Sequence, residues 1–178
     1  TNELGSLAFI NKPNPFNVDP VKVSKFKEIN SAAGLLSMMW SQSIQQGPTS
    51  KSYSDFLGQT FEAKIREVRS GEFALMCQGF RDLFLHASTA IPKLKMRAVE
   101  AYNYSPQIPD LITYSHSTAE VWVEQLKGWV LFDPWLGIIV TQDGVPIGAQ
   151  ELGKLENIEG VSIIPVIDSM PRMYQEKD

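Results

Sequence analysis

Three residues in this chain have the types and the order that nucleophilic catalysis requires. Cys77, the only cysteine, stands in "LMCQGFRDLFLHA" (Leu75 to Ala87). His116, one of two histidines, opens "HSTAEVWVEQLKGWVLFDPW", in which Asp133 precedes Pro134. A thiolate attacks a carbonyl carbon well, but it needs a base for its proton, and the base needs a partner to hold its ring. Cys, His and Asp can divide that work as nucleophile, base and orienting group. Singly, each has a plainer reading: a free cysteine often only packs, and an Asp before Pro often caps a turn. A histidine at a strand edge is often simply satisfied in place.

The elements around these residues must position them. Phe80, Leu83, Phe84 and Ala87 recur at helical spacing and predict a helix from about Met76 to Ala87, with Cys77 in its first turn. There the macrodipole and the unpaired backbone N–H groups favour thiolate and can hold an oxyanion. His86 lies about nine residues further along that helix and points away from the thiol, which makes it a surface or helix-end residue. The His116 stretch alternates as a β-hairpin with its tip near Leu126, Lys127 and Gly128. Along its first strand His116, Thr118, Glu120 and Trp122 share one face, and Ala119, Val121 and Val123 the other. Any even-length loop then puts Trp129, Leu131 and Asp133 on the His116 face. With that tip, an ideal hairpin sets Asp133 opposite Glu120, about 10–13 Å short of His116. A bulge, a longer turn or strong twist must close the gap. Glu120 is expected to pair with a neighbouring Lys or Arg.

The rest of the chain supplies the frame. "NKPNPFNVDP" (Asn11 to Pro20) belongs to an extended arm expected over residues 1–20. A helix follows, with Asn30 or Ser31 as N-cap, a stripe of Leu35, Leu36, Met39, Trp40 and Ile44, and Gly47-Pro48 as its stop. A second helix is expected from about Ser54 to Val68. After Ile91-Pro92 the pattern turns to short strands separated by turn signals. Helices first and strands second predict an α+β fold, with N-terminal helices packed on an antiparallel β-sheet, in one domain spanning residues 1–178. The net charge of −4 argues against a nucleic-acid surface. No apolar run approaches the roughly 20 residues needed to cross a bilayer. No Cys/His cluster has zinc spacing, and no loop has EF-hand spacing. The chain starts at Thr1 rather than Met, consistent with a removed tag, signal peptide or upstream region, which leaves the compartment open.

These stretches resemble the transglutaminase-like superfamily, a cysteine-nucleophile group that shares the papain-like core. Its pattern has a helix-starting Cys, then GIP-x-R leading into a strand, then H-x-x-x-E and finally GW-x-x-x-DP. Here these match Cys77, "AIPKLKMR" (Ala90 to Arg97), "HSTAE" (His116 to Glu120) and "GWVLFDP" (Gly128 to Pro134), within a region from Gly71 to Pro134. Leu75 stands where the family usually has Gly, Thr118 where it has an aromatic residue, and Arg97 follows Pro92 at a longer distance. The resemblance implies a papain/transglutaminase-like core and a Cys77–His116–Asp133 triad. That triad would act on amide bonds of a peptide or protein through a thioester acyl-enzyme, with no cofactor and no metal. Water as acceptor makes a peptidase or amidase, and an amine makes a cross-linking transglutaminase. Hydrolysis is favoured, because bacterial-type members of the superfamily are often hydrolases. The Cys77 backbone N–H is one candidate oxyanion donor; the second stays unnamed, with Trp40 or another upstream side chain as candidates that no spacing argument supports. Two rival readings stand beside this one. A binding module could keep the fold and hold a peptide in its groove. Acyl transfer from a thioester cofactor, as in arylamine acetyltransferases, ranks below both, since the sequence has neither a phosphate loop nor a basic cluster.

Overall fold

A computed structural model describes residues 25–41, 53–70, 75–104 and 112–167. The expected arm over residues 1–20, together with Ile44 and Gly47-Pro48, lies outside the described residues. Among the described residues, four helices precede the strands: α1 (Lys27–Ser41), α2 (Tyr53–Leu57), α3 (Phe61–Ser70) and α4 (Cys77–Ser88). Then come β1 (Met96–Tyr104), β2 (Ile112–Val123), β3 (Gly128–Asp133), β4 (Ile138–Gln142), β5 (Val145–Pro146), the short α5 (Ala149–Leu152) and β6 (Val161–Pro165). The fold is α+β with an antiparallel sheet, as the order of patterns indicates. Among the described residues no helix is long and apolar enough to cross a membrane.

Two helix boundaries differ from the sequence reading. Asn30 and Ser31 do not cap α1 but lie inside it, because Phe26 and Ile29 are buried and extend its apolar face upstream. The Ser31 hydroxyl, read as a cap, instead donates back to the Lys27 carbonyl at 2.9 Å, the alternative open to a serine within a helix. The single helix expected over Ser54 to Val68 is two. The break comes at Gln59, whose N–H turns to the Phe56 carbonyl at 3.2 Å, and Thr60 restarts the helix by accepting the Ala63 N–H at 3.3 Å.

The sheet is a meander, β1-β2-β3-β4, in which β4 also pairs with β5 and β6. In the β2–β3 hairpin Val123 pairs with Gly128 and Ala119 with Phe132. The loop is therefore Glu124 to Lys127, two residues longer on the β2 side than the sequence suggests, with Lys127 at φ 51°. Alternation then sorts the sheet. Ala119, Val121, Val123, Val130 and Phe132 are all buried. Against them α4 turns Phe80, Leu83, Phe84 and Ala87, with Phe84 stacked on Phe132 at 5.5 Å between ring centroids. Burying side chains of this size is worth about 1.5–3 kcal/mol each, so this interface fixes where the first turn of α4 comes to rest.

Candidate active site

The first turn of α4 holds Cys77, half-buried between buried Leu75 and the exposed residue Gln78. Met76 occupies the N-cap position in an extended conformation and gives no side-chain cap. Its carbonyl accepts the Phe80 N–H at 2.9 Å and starts the helix. The backbone N–H groups of this turn therefore keep the unpaired donors that an oxyanion can use.

His116 and Asp133 lie on the same face of the hairpin, as the alternation requires, and they are in contact: His116 Nε2 bonds Asp133 Oδ2. The longer loop is what brings them together. The register that pairs Ala119 with Phe132 runs on to set Asp133 beside Thr118, two residues nearer His116 than a tight turn would. Diagonal neighbours on one face of a sheet are within reach of a histidine side chain. Asp133 also caps the turn after it, since Oδ1 accepts the N–H groups of Trp135 and Leu136, both at 2.9 Å. The turn-capping role and the histidine-holding role thus belong to the two oxygens of one buried carboxylate.

The Cys77 side chain is within hydrogen-bonding reach of the His116 ring. Asp133 engages Nε2, so proton exchange with a thiol falls to the other ring nitrogen, Nδ1. The His116 side chain is 15% exposed. The Asp133 hydrogen bond raises its pKa above the ordinary histidine value; burial opposes this, and Asp133 charge and Cys77 add to the rise. The ring is thereby biased toward imidazolium, the form that accompanies a thiolate. The structure brings all three sequence-derived residues, Cys77, His116 and Asp133, into one cluster.

The neighbouring residues sort as follows. His86 is exposed near the end of α4, its ring 5.1 Å from that of Phe61, away from the thiol as the helix geometry requires. Glu120, 1% exposed, accepts from Arg97 Nε at 2.6 Å and from the Ala149 N–H at 2.7 Å, so it forms the expected ion pair and also ties down α5. Trp129 carries the Arg97 guanidinium over its ring at 4.3 Å, and Trp135 packs edge-on against Phe80 at 6.2 Å. Trp40 has a buried Nε1 with no hydrogen-bond partner among the described residues. Its ring lies against Gly137 (φ 67°), whose N–H closes the Asp133 turn onto the Asp133 carbonyl at 2.8 Å. Among the described residues, no group of three or more His, Cys, Asp or Glu is arranged to hold a metal ion.

Sequence reasoning missed one part of the neighbourhood, a polar cluster of Arg81, Glu100 and Ser117. The only available signal was Arg81 falling four residues after Cys77, on the same helix face. Compared with protein-family models, with curated proteins and with solved structures, the chain matches none.

Proposed function

We propose that this protein is a cysteine-nucleophile acyl-transfer enzyme with a transglutaminase-like, papain-like core, acting on amide bonds of a peptide or protein, with water the favoured acceptor. The observation that carries the reading is the His116 ring held between Asp133 and Cys77. In this reaction the Cys77 thiolate attacks the carbonyl carbon and forms a C–S bond, and the carbonyl electrons move to oxygen. The oxyanion takes hydrogen bonds from the backbone N–H groups in the first turn of α4, that of Cys77 among them. Collapse breaks the C–N bond, and the leaving amine takes its proton from the His116 imidazolium. The thioester is then attacked by water, which gives a proton to His116 as the C–S bond breaks, releasing the acid and restoring the thiolate–imidazolium pair. Asp133 holds the ring orientation and the charged form throughout.

The test is acyl-enzyme trapping. Incubation with an activated ester should raise the intact mass by one acyl group on Cys77. The adduct should decay in water, decay faster with added primary amine if transamidation competes, and be absent from Cys77→Ser. No adduct on the native protein, or the same turnover from Cys77→Ser, would contradict the reading and leave a peptide-binding module.

A further inference from the structure

In the reaction just described, the nucleophile and its base sit on different layers, Cys77 on α4 and His116 on β2. Their apposition depends on how firmly those layers are joined beside them. Arg81 lies one turn after Cys77 on α4, with its side chain only 6% exposed. Its Nη1 donates to Glu100 on β1, and its Nε and Nη2 lie 2.8 Å from Asp82 Oδ1. The second Glu100 oxygen accepts from the Ser117 hydroxyl at 2.7 Å. Glu100 pairs with Ser117 in the β1–β2 register, and Ser117 directly follows His116. A continuous polar link therefore runs from the Cys77 turn to the His116 strand.

Physical costs make this link directional. A buried guanidinium is strongly unfavourable without partners, and its planar fork fixes the angle as well as the distance at which partners sit. The Glu100 side chain is 35% exposed, so its burial is only partial; that would raise the carboxyl, but the Ser117 and Arg81 hydrogen bonds, with the nearby Arg81 and His116 charges, hold it below the ordinary carboxylate range. The carboxylate is thus charged at neutral pH and lies close enough to His116 to favour imidazolium. Among the described residues, the ionisable groups around the ring include Asp133, Glu100 and Cys77, with Arg81 and Asp82 behind Glu100 on the helix side.

We infer that Arg81, Glu100 and Ser117 are positioning residues that brace α4 against β2 and keep Cys77 apposed to His116. The inference rests on the acyl-transfer reading of those two residues. It is tested by the rate of iodoacetamide alkylation against pH for the native protein, Glu100→Gln, Ser117→Ala and His116→Ala. Glu100→Gln should lower the rate near pH 6 by about tenfold, yet leave it within about twofold near pH 9.5, where a thiol ionises unaided. Ser117→Ala, which keeps the carboxylate charge, should lose about threefold near pH 6, the equivalent of about half a pKa unit. A Glu100→Gln rate that falls equally at both pH values indicates general loosening and overturns the brace. If both brace variants keep the native profile while His116→Ala loses its low-pH limb, the brace is overturned and the acyl-transfer reading stands. If the native protein and His116→Ala share one profile, the underlying reading fails with it. Should Glu100→Gln lack a cooperative melt, Ser117→Ala decides, and a rate within about 1.5-fold of native near pH 6 overturns the inference.

Discussion

His116 shows how one side chain acquires a working state from its neighbours. A free imidazole is mostly neutral at pH 7. Here the Asp133 hydrogen bond, against burial and with help from the Asp133 charge and Cys77, lifts the pKa of the ring. A group whose pKa is raised on folding stabilises the fold fully below its unfolded value, and the contribution is lost as pH rises through the folded value. The effect can be isolated in Cys77→Ser, where the thiol no longer titrates and Asp133, the largest cause of the shift, remains. The melting temperature of Cys77→Ser should exceed that of Cys77→Ser/His116→Asn most clearly below the ordinary histidine value of about 6.5. The gap should shrink as pH rises beyond it. A gap that widens with pH would show that the ring is held neutral.

At the scale of elements, alternation made part of the site legible and loop length hid the rest. Period two with an even-length loop puts His116 and Asp133 on one face of the hairpin, and the structure has them there in contact. Alternation says nothing about how many residues the turn takes, so a tight tip leaves Asp133 opposite Glu120, whereas the Glu124-to-Lys127 loop slides it toward His116. The start of α1 is not legible in the sequence because serine serves equally as a cap or as a back-bonding helix residue, and only the burial of Phe26 and Ile29 decides. The two-residue β5 and the one-turn α5 are too short for any periodic signal. What holds α5 is Glu120, through the Ala149 N–H, and this requires Gly148 to lie close against the hairpin. A Cβ at Gly148 would sit 2.6 Å from the Trp129 carbonyl oxygen and 2.9 Å from Glu120 Oε1. Its φ of −89° suits any residue, so the constraint is purely steric. Gly148→Ala should therefore cost about 1–3 kcal/mol in urea denaturation, the usual range for overpacking. An unchanged midpoint would mean that α5 does not bear on the hairpin.

Across the whole molecule, the helices carry Cys77 while the sheet carries His116 and Asp133, so the cluster exists only when the two layers dock. The docking surface centres on Phe84, fully buried and stacked on Phe132, with Phe80 edge-on to Trp135. Deleting a buried phenylalanine ring costs about 3–5 kcal/mol, a large part of the roughly 5–15 kcal/mol that holds a domain together. Phe84→Ala should lower the urea midpoint by that order and also slow Cys77 alkylation near neutral pH, because α4 carries both residues. A destabilised protein whose thiol keeps native reactivity would show that the cluster does not depend on layer docking. The general order, helices then antiparallel strands around one interface, was readable from the pattern of apolar residues. The contacts that unite the two layers were not, since they join residues distant in sequence.

The central claim is that Cys77 and His116 form an activated pair, and the most direct measurement is the iodoacetamide alkylation rate of Cys77 from about pH 4 to 10 on the native protein and on His116→Ala. The native rate should already be high near pH 6, well below the free-thiol value of about 8.5. In His116→Ala that low-pH reactivity should be lost or shifted upward. A native rate that rises only near the free-thiol value, or a profile unaltered by removing His116, would contradict it.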